Sequence, residues 1–235
     1  MVVTVPAADE QDEIAACLRA IERAIAELHE RTTLQARVVV ALDDCRDGTA
    51  EVVADFPHVQ AVTCAARRVG TARRVAAGAA LARGGDAHEL WLASTDADCR
   101  VPPDWLTEMA AAAARGADLV LGTVRPADGL TAGVEQAWYD AHHLGDGHTH
   151  IHGANLGIRA GTYVRLGGWR DLPAHEDVDL VERAVAAGVP IARSGAAPVS
   201  ASIRLIGRAP DGFSAFLQSL QGDPPGLPGD LPAVS

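Results

Sequence analysis

The chain has 235 residues, 48% hydrophobic and 22% charged, enough for one large α/β domain with a full core. A net charge of -11, aromatics at 4% and no Lys/Arg-rich stripe interleaved with aromatics exclude nucleic acid as the expected partner. Cys17, Cys45, Cys64 and Cys99 form no C-x-x-C pair or zinc spacing and read as reduced thiols. Residues 1–5 lack the parts of a signal peptide, and no apolar run approaches the ~20 residues of a membrane span, so a soluble cytoplasmic protein is expected.

Residues 2–5 read as a first strand. A helix over 9–28 follows, with Ile14, Leu18, Ile21, Ile25 and Leu28 at helical spacing. Residues 36–42 form a continuous apolar strand of the kind buried on both faces. Asp47-Gly48-Thr49 opens a helix through about Phe56, and 58–63 is a third strand. An Ala-rich helix spans 70–83 and stops at Gly84-Gly85. Residues 90–94 make a fourth strand leading into Asp96, Pro102-Pro103-Asp104-Trp105 begins a helix, and 117–123 is a fifth strand. This β-α-β-α-β-α-β order predicts a Rossmann-like, mainly parallel sheet flanked by helices.

Beyond Pro126 the pattern changes. A helix is predicted over 130–143, a polar loop over 145–150, a strand over 152–158 and a short helix over 160–166. A helix with an acidic start covers 174–187, and 191–203 holds one or two short strands. Residues 1–221 read as one domain, with a nucleotide-binding half over 1–125 and an acceptor half over 126–221. Residues 222–235 are rich in Pro and Gly and read as a mobile tail.

The most informative motif is Asp96-Ala97-Asp98, at the predicted C-terminal end of a strand, where open α/β sheets bind ligands. Two carboxylates at i, i+2 can reach one hard divalent cation that holds a diphosphate. A bare D-x-D is common by chance, and a solvated turn is its ordinary reading. Its companions change the weighing. Pro6-Ala7-Ala8-Asp9-Glu10 follows strand one and can line a nucleotide pocket, although acids at a helix start also have a dipole explanation. Asp43 and Asp44 end strand two, where a carboxylate can accept a base N–H or ribose hydroxyls. Asp47 reads as a helix cap. Arg73 and Arg74 fall in the first turn of the predicted helix, which is unfavourable for a cation unless a phosphate or the Asp96/Asp98 pair relieves it. In His175-Glu176-Asp177-Val178-Asp179-Leu180, an anionic carboxylate at the helix start can act as general base towards a hydroxyl.

In this order the motifs resemble family 2 glycosyltransferases with a GT-A fold. Pro6-x-x-Asp9-Glu10 resembles the family's P-x-x-N-E opening, and Asp43-Asp44-Cys45-Arg46-Asp47-Gly48-Thr49 its D-D-x-S-x-D-G-T segment. Gly70-Thr71-Ala72-Arg73-Arg74 is similar to G-x-x-x-A-R-N, and Asp96-Ala97-Asp98 to D-x-D. Gly153-Ala154-Asn155-Leu156-Gly157-Ile158-Arg159 with Gly167-Gly168-Trp169 resembles G-x-N-x-x-x-R…G-G-F/W, and Glu176-Asp177-Val178-Asp179-Leu180 resembles E-D-x-D-L.

The resemblance implies a GT-A enzyme, with a smaller C-terminal acceptor-side region, that moves a sugar from a UDP-, GDP- or dTDP-sugar to a small-molecule, lipid or glycan hydroxyl with inversion. It implies that Asp44 meets the base, with Pro6 and Glu10 in the same pocket, and that Arg73 supports the nucleotide side. Asp96 would face the ribose or metal, Asp98 would coordinate Mn²⁺ or Mg²⁺, and Asp177 would be the base. His152, Asn155 and Glu176 fall on the acceptor side. Departures are the missing Q-x-x-R-W segment and transmembrane helices of the polymerising members, Cys45 for Ser, Arg74 for Asn, and no histidine after His175 to serve as a further metal ligand.

His142, His143, His148, His150 and His152 crowd one stretch. On a strand, alternating histidines share a face, so a metal-binding protein, or a non-catalytic binder on a glycosyltransferase scaffold, is a rival reading. A loop lining the acceptor site is the simpler one. A nucleotidyltransferase would want a Gly-rich basic loop after strand one, which residues 6–10 do not offer.

Overall fold

The computed structural model describes residues 1–83 and 89–202. The predicted helix stop at Gly84-Gly85 and the tail at 222–235 lie outside the described residues. Those described form two compact units, 1–125 with 144–202, and 126–143.

Four strands make the parallel part of the larger unit's sheet: β1 (Val2–Ala7), β2 (Arg37–Asp43), β3 (Val59–Cys64) and β4 (Trp91–Ser94). They lie in the order β3-β2-β1-β4 with all three pairings parallel. β1 and β2 are almost wholly apolar and buried, as strands covered on both faces must be. Pro6 is tolerated inside β1 because pairing with β4 ends at Thr4.

The helices between these strands are α1 (Ile14–Arg31), α2 (Thr49–Ala54) and α3 (Val69–Ala82). α1 buries Ile14, Leu18, Ile21 and Leu28 of the predicted stripe, while Ile25 is only half-buried. It starts five residues later than the periodicity predicts. Asp9 adopts a left-handed conformation (φ 53°), and the Glu10 carbonyl accepts from the amides of Glu13 and Ile14 to make a turn first.

Beyond β4 the sheet becomes mixed. β5 (Cys99–Arg100), α4 (Trp105–Ala114) and β6 (Leu119–Pro126) follow in the chain. β7 (Leu156–Arg159) lies between β4 and β6, antiparallel to both, and β8 (Ile191–Ala201) pairs antiparallel with β5. The strand predicted over 152–158 is in fact a 3-10 turn, Gly153–Asn155, running into the shorter β7. The Asn155 amide donates to the His152 carbonyl, which closes that turn. α6 (Ala160–Arg165) and α7 (Glu176–Ala186) complete the unit. Val2, Val39, Leu92, Leu119, Leu156, Ile158 and Leu180 share one core cluster, so β7 is packed into the same interior as the parallel strands.

The smaller unit's described part carries α5 (Ala132–Ala141). The Trp138 ring stacks on His142 with centroids 4.3 Å apart.

Candidate active site

The C-terminal ends of β1, β2 and β3 form an exposed rim of acids and arginines. Asp43, buried at the end of β2, accepts from the Ala66 and Arg67 amides at 2.7 and 2.9 Å and from the Arg68 amide at 3.0 Å. One carboxylate thus folds the loop after β3. That loop carries Arg67, whose Nη2 donates to Asp9 at 2.9 Å and whose Nη1 donates to the Asp44 carbonyl at 2.9 Å. Arg46 donates to Asp44 Oδ2 at 2.8 Å. The hydrogen bond from Arg46 holds the Asp44 carboxyl below the usual range, with Arg67 adding to it. Asp9, Asp44 and Arg67 all have left-handed backbone (φ 53°, 48° and 48°). Such conformations cost energy in non-glycine residues and collect at functional sites.

Two side chains lock the loops behind this rim together. Asp47 accepts from the Thr49 amide at 3.0 Å and the Gln11 amide at 3.1 Å, and Gln11 Oε1 accepts from the Gly48 amide at 2.9 Å. Asp47 therefore closes a turn just before α2, but the N-cap is Gly48 and no side chain caps the helix, so the predicted capping role is corrected. Glu10 is half-buried, and its amide donates to Thr49 Oγ1 at 2.7 Å. Cys45, which stands where the family pattern has Ser, donates through Sγ to the Ala7 carbonyl at 3.4 Å.

The second part of the site is buried. Arg73 is 3% exposed and Glu176 4%. Arg73 Nη2 donates to Asp96 Oδ1 at 2.5 Å, and Nη1 donates to Glu176 Oε1. Its guanidinium lies 5.4 Å from the centroid of the Trp169 ring. A charge this buried needs partners, and it takes them from β4's end and α7's start. Burial alone would lower the Arg73 pKa, but Asp96, Glu176 and Asp177 raise it above the ordinary value. Burial pushes Glu176 above the carboxylate range despite Arg73. Arg74 is exposed.

Two glycines allow this approach. A Cβ on Gly153 would lie 2.4 Å from Arg73 Nη1, and one on Gly70 would lie 2.6 Å from the Arg170 carbonyl and 3.0 Å from Glu176 Cβ. Gly153 also donates its amide to Asp177 Oδ2 at 2.8 Å, while the Val178 amide donates to Oδ1 at 2.8 Å. His175, left-handed at φ 61°, caps α7 just before. Asp96, Arg73, Glu176, Gly153 and Asp177 are thus linked contact by contact.

Asp98 is half-buried and accepts from Cys99 Sγ at 3.6 Å. Cys17 donates to the Asp96 carbonyl at 3.3 Å, which pins the D-x-D turn to α1. Among the described residues no group of three or more His, Cys, Asp or Glu side chains can hold a metal ion.

The histidines form no such group among the described residues. His148, His150 and His152 do share a face, with successive ring centroids 5.7 Å apart, although 148–152 form no regular strand. Their rings stack face to face rather than converging on a point. His148 is buried against the Leu121 carbonyl at 3.1 Å, and burial lowers its pKa. Arg193 fastens the segment by donating to the His148 carbonyl at 3.2 Å and the His150 carbonyl at 3.4 Å. His152 remains half-buried beside Gly153.

Asn155 also differs from expectation. It is 2% exposed, accepts from Trp105 Nε1 at 2.8 Å, and donates to the Thr123 and Ala197 carbonyls at 2.8 and 3.0 Å. Its amide is used inside the protein, joining α4, β6 and β8. Glu176 likewise is turned to Arg73. Sequence reasoning missed Glu176 as the second partner of Arg73 and Trp169 as its stacking surface. The signal for both was an arginine near a helix start that still lacked enough counter-charge.

Residues 2–162 match the family described as Glycosyl transferase family 2. The chain belongs to that family. It is therefore a glycosyltransferase, and its mixed sheet flanked by helices is the GT-A architecture. Among solved structures it resembles TarS 1–349 of S. aureus in complex with UDP, with TM-score 0.61 and 14% identity over 93% of this chain and 68% of that one. It is similar to mannosyltransferase PcManGT from Pyrobaculum calidifontis in complex with GDP-Man and Mn²⁺, with TM-score 0.57 and 19% identity over 83% of this chain and 56% of that one. It is also similar to glucosyl-3-phosphoglycerate synthase of Mycobacterium tuberculosis in complex with Mn²⁺, UDP-Glc and phosphoglyceric acid, with TM-score 0.58 and 16% identity over 94% and 76%. No curated protein is detectably similar in sequence. No described helix is long and apolar enough to cross a membrane.

Proposed function

We propose that the protein transfers a sugar from a nucleoside-diphosphate sugar to an acceptor hydroxyl with inversion, assisted by Mn²⁺ or Mg²⁺. The observation that carries this reading is the chain of contacts from Asp96 through Arg73 to Glu176, Gly153 and Asp177, which joins two acidic motifs 80 residues apart in one cluster.

The donor lies along the rim. Asp44 meets the base, with Pro6 and Glu10 behind it, and Asp96 is turned towards the ribose and diphosphate. Electrostatics supports a metal requirement. Asp96, Glu176 and Asp177 gather about Arg73, and Asp98 lies two residues from Asp96, so added positive charge would ease the approach of a diphosphate. Two half-buried carboxylates, Asp96 and Asp98, suit a small cation that takes its remaining ligands from phosphate and water rather than from a protein cage. Asp98 would hold the ion, with Asp96 beside it. When bound, the ion supplies charge neutralisation for the departing diphosphate.

The remaining steps belong to side chains. Asp177, oriented by the Gly153 and Val178 amides, removes the acceptor hydroxyl proton. The acceptor oxygen bonds to the anomeric carbon as the carbon–oxygen bond to the diphosphate breaks, and attack from the opposite face inverts the centre. His152, next to Gly153, faces the acceptor.

Melting curves with UDP, GDP and dTDP, each with and without Mn²⁺ or Mg²⁺, test the reading. One nucleotide is expected to raise the melting temperature only with metal, since a ligand of the folded state stabilises it. No shift with any nucleotide or nucleotide sugar contradicts it.

A further inference from the structure

We propose that Arg183 is a positioning residue for the transfer step: paired with Asp179, it locks the first turn of α7, which carries Asp177, to the glycine turn that follows α6. The proposal rests on the role given above to Asp177 as the base.

All three nitrogens of Arg183 are committed. Nε and Nη2 donate to Asp179 Oδ2 at 3.0 and 2.5 Å. Nη2 also donates to the Gly168 carbonyl at 2.8 Å, and Nη1 to the Leu166 carbonyl at 2.5 Å. Those carbonyls lie at the C-terminal end of α6, where a cation is favoured. Gly167 and Gly168 are left-handed there (φ 82° and 65°), and a Cβ on Gly168 would lie 2.6 Å from Tyr163 Cζ, so the turn that Arg183 grips is itself closely packed. An exposed i, i+4 ion pair contributes little. Here the side chains are only 16% and 20% exposed, and the guanidinium reaches out of its own helix.

The start of α7 needs such a contact. No side chain caps it, and the apolar packing of Leu180, Val181 and Ala184 has no preferred direction. Polar contacts therefore set the orientation of the first turn. Helical residues two apart point about 200° from each other, so Asp177 and Asp179 face opposite ways. Asp177 accepts from the Gly153 amide on one side. Asp179 accepts on the other from Arg183 and from Arg170 Nη1, at 3.0 Å. Arg170 is the more exposed partner, 58% against 16%, so most of the hold comes from Arg183. Releasing it frees one side of the turn and lets the Asp177 carboxylate shift.

Arg183→Lys keeps the charge but replaces a planar fork by a single point. The nucleotide used is the one that stabilises the unaltered protein with Mn²⁺, and its sugar conjugate is the donor. Release of nucleoside diphosphate is followed with water as the acceptor hydroxyl, at a temperature where both proteins are fully folded, so lost stability alone leaves the rate unchanged. kcat is expected to fall about 10- to 100-fold, as misplacement of a reacting group by up to ~1 Å costs. Donor KM and the nucleotide Kd stay within about threefold. Unchanged kcat overturns the proposal and makes the pair a prop of the fold. A Kd that rises in step with the loss of kcat/KM overturns it too, since the effect then lies on the donor side.

Asp179→Asn, which keeps the side chain's shape and one acceptor oxygen, is the second variant. It is expected to fold and to show the same kcat deficit with unchanged Kd. Both substitutions together cost no more than either alone, because the two residues act as one unit, and additive losses overturn the pairing. If neither single variant folds, the pair is a requirement of the fold and the positioning role is wrong. An unaltered protein that binds no nucleotide, or an Asp177→Asn variant as active as the unaltered protein, defeats the reading beneath the proposal, which is a different result from any of these.

Discussion

The exposed rim after β1, β2 and β3 and the buried cluster around Arg73 are built from the same two kinds of side chain, yet they do different work. At the rim, Arg46 and Asp44 have side chains 72% and 34% exposed. Such pairs are screened by water and salt and contribute little to stability. They can open and re-form around a ligand. In the cluster, Arg73 and Glu176 are shut away from water, and removing one partner strands the other. The fold thus separates an exposed, adaptable edge from a buried, rigid frame around the proposed reacting acids.

Substitutions can break that contrast. The largest effect is expected inside the cluster. Gly153→Ala would place a Cβ 2.4 Å from Arg73 Nη1, and such overpacking costs about 1–3 kcal/mol. Chemical denaturation measures it, and an unchanged midpoint would show that the frame is soft.

A smaller effect is a change with pH. The folded state holds the Glu176 pKa above its ordinary value of 4.5, so over that window the folded protein binds more protons than the unfolded chain. The contribution of Glu176 to stability then falls as pH rises above about 4.5. Glu176→Gln lacks this slope, so the advantage of the unaltered protein over the variant shrinks across the same range. Urea midpoints at several pH values check this. A difference that grows with pH reverses the assignment.

The smallest effect belongs to the rim. Arg46→Ala should move the melting temperature by no more than about 2 °C. A larger drop would mean the rim is as rigid as the cluster and would remove the contrast.

The parallel strands were legible because β1, β2 and β4 are short apolar runs with acids at or just after their ends, a pattern that needs no tertiary information. The start of α1 was not, since Asp9's left-handed backbone is held by Arg46 and Arg67, far along the chain. β7's antiparallel direction depends on which strands it lies between, and four residues do not encode that. The conflict of Arg73 with its helix position correctly pointed to Asp96. Its other partner, Glu176, is 103 residues away and looks in sequence like any acid at a helix start. Asn155 carried the opposite lesson. Its place in a family motif suggested ligand contact, but its polar atoms satisfy a helix and two strands.

The central claim is that Asp177 does chemistry in a site whose donor is held by other residues. Asp177→Asn tests it most directly, with transfer and nucleotide affinity in Mn²⁺ measured on the same preparation. Turnover is predicted to fall by at least about 10³-fold while the nucleotide Kd stays within about threefold. Transfer that survives, or nucleotide binding that collapses with it, would contradict the account.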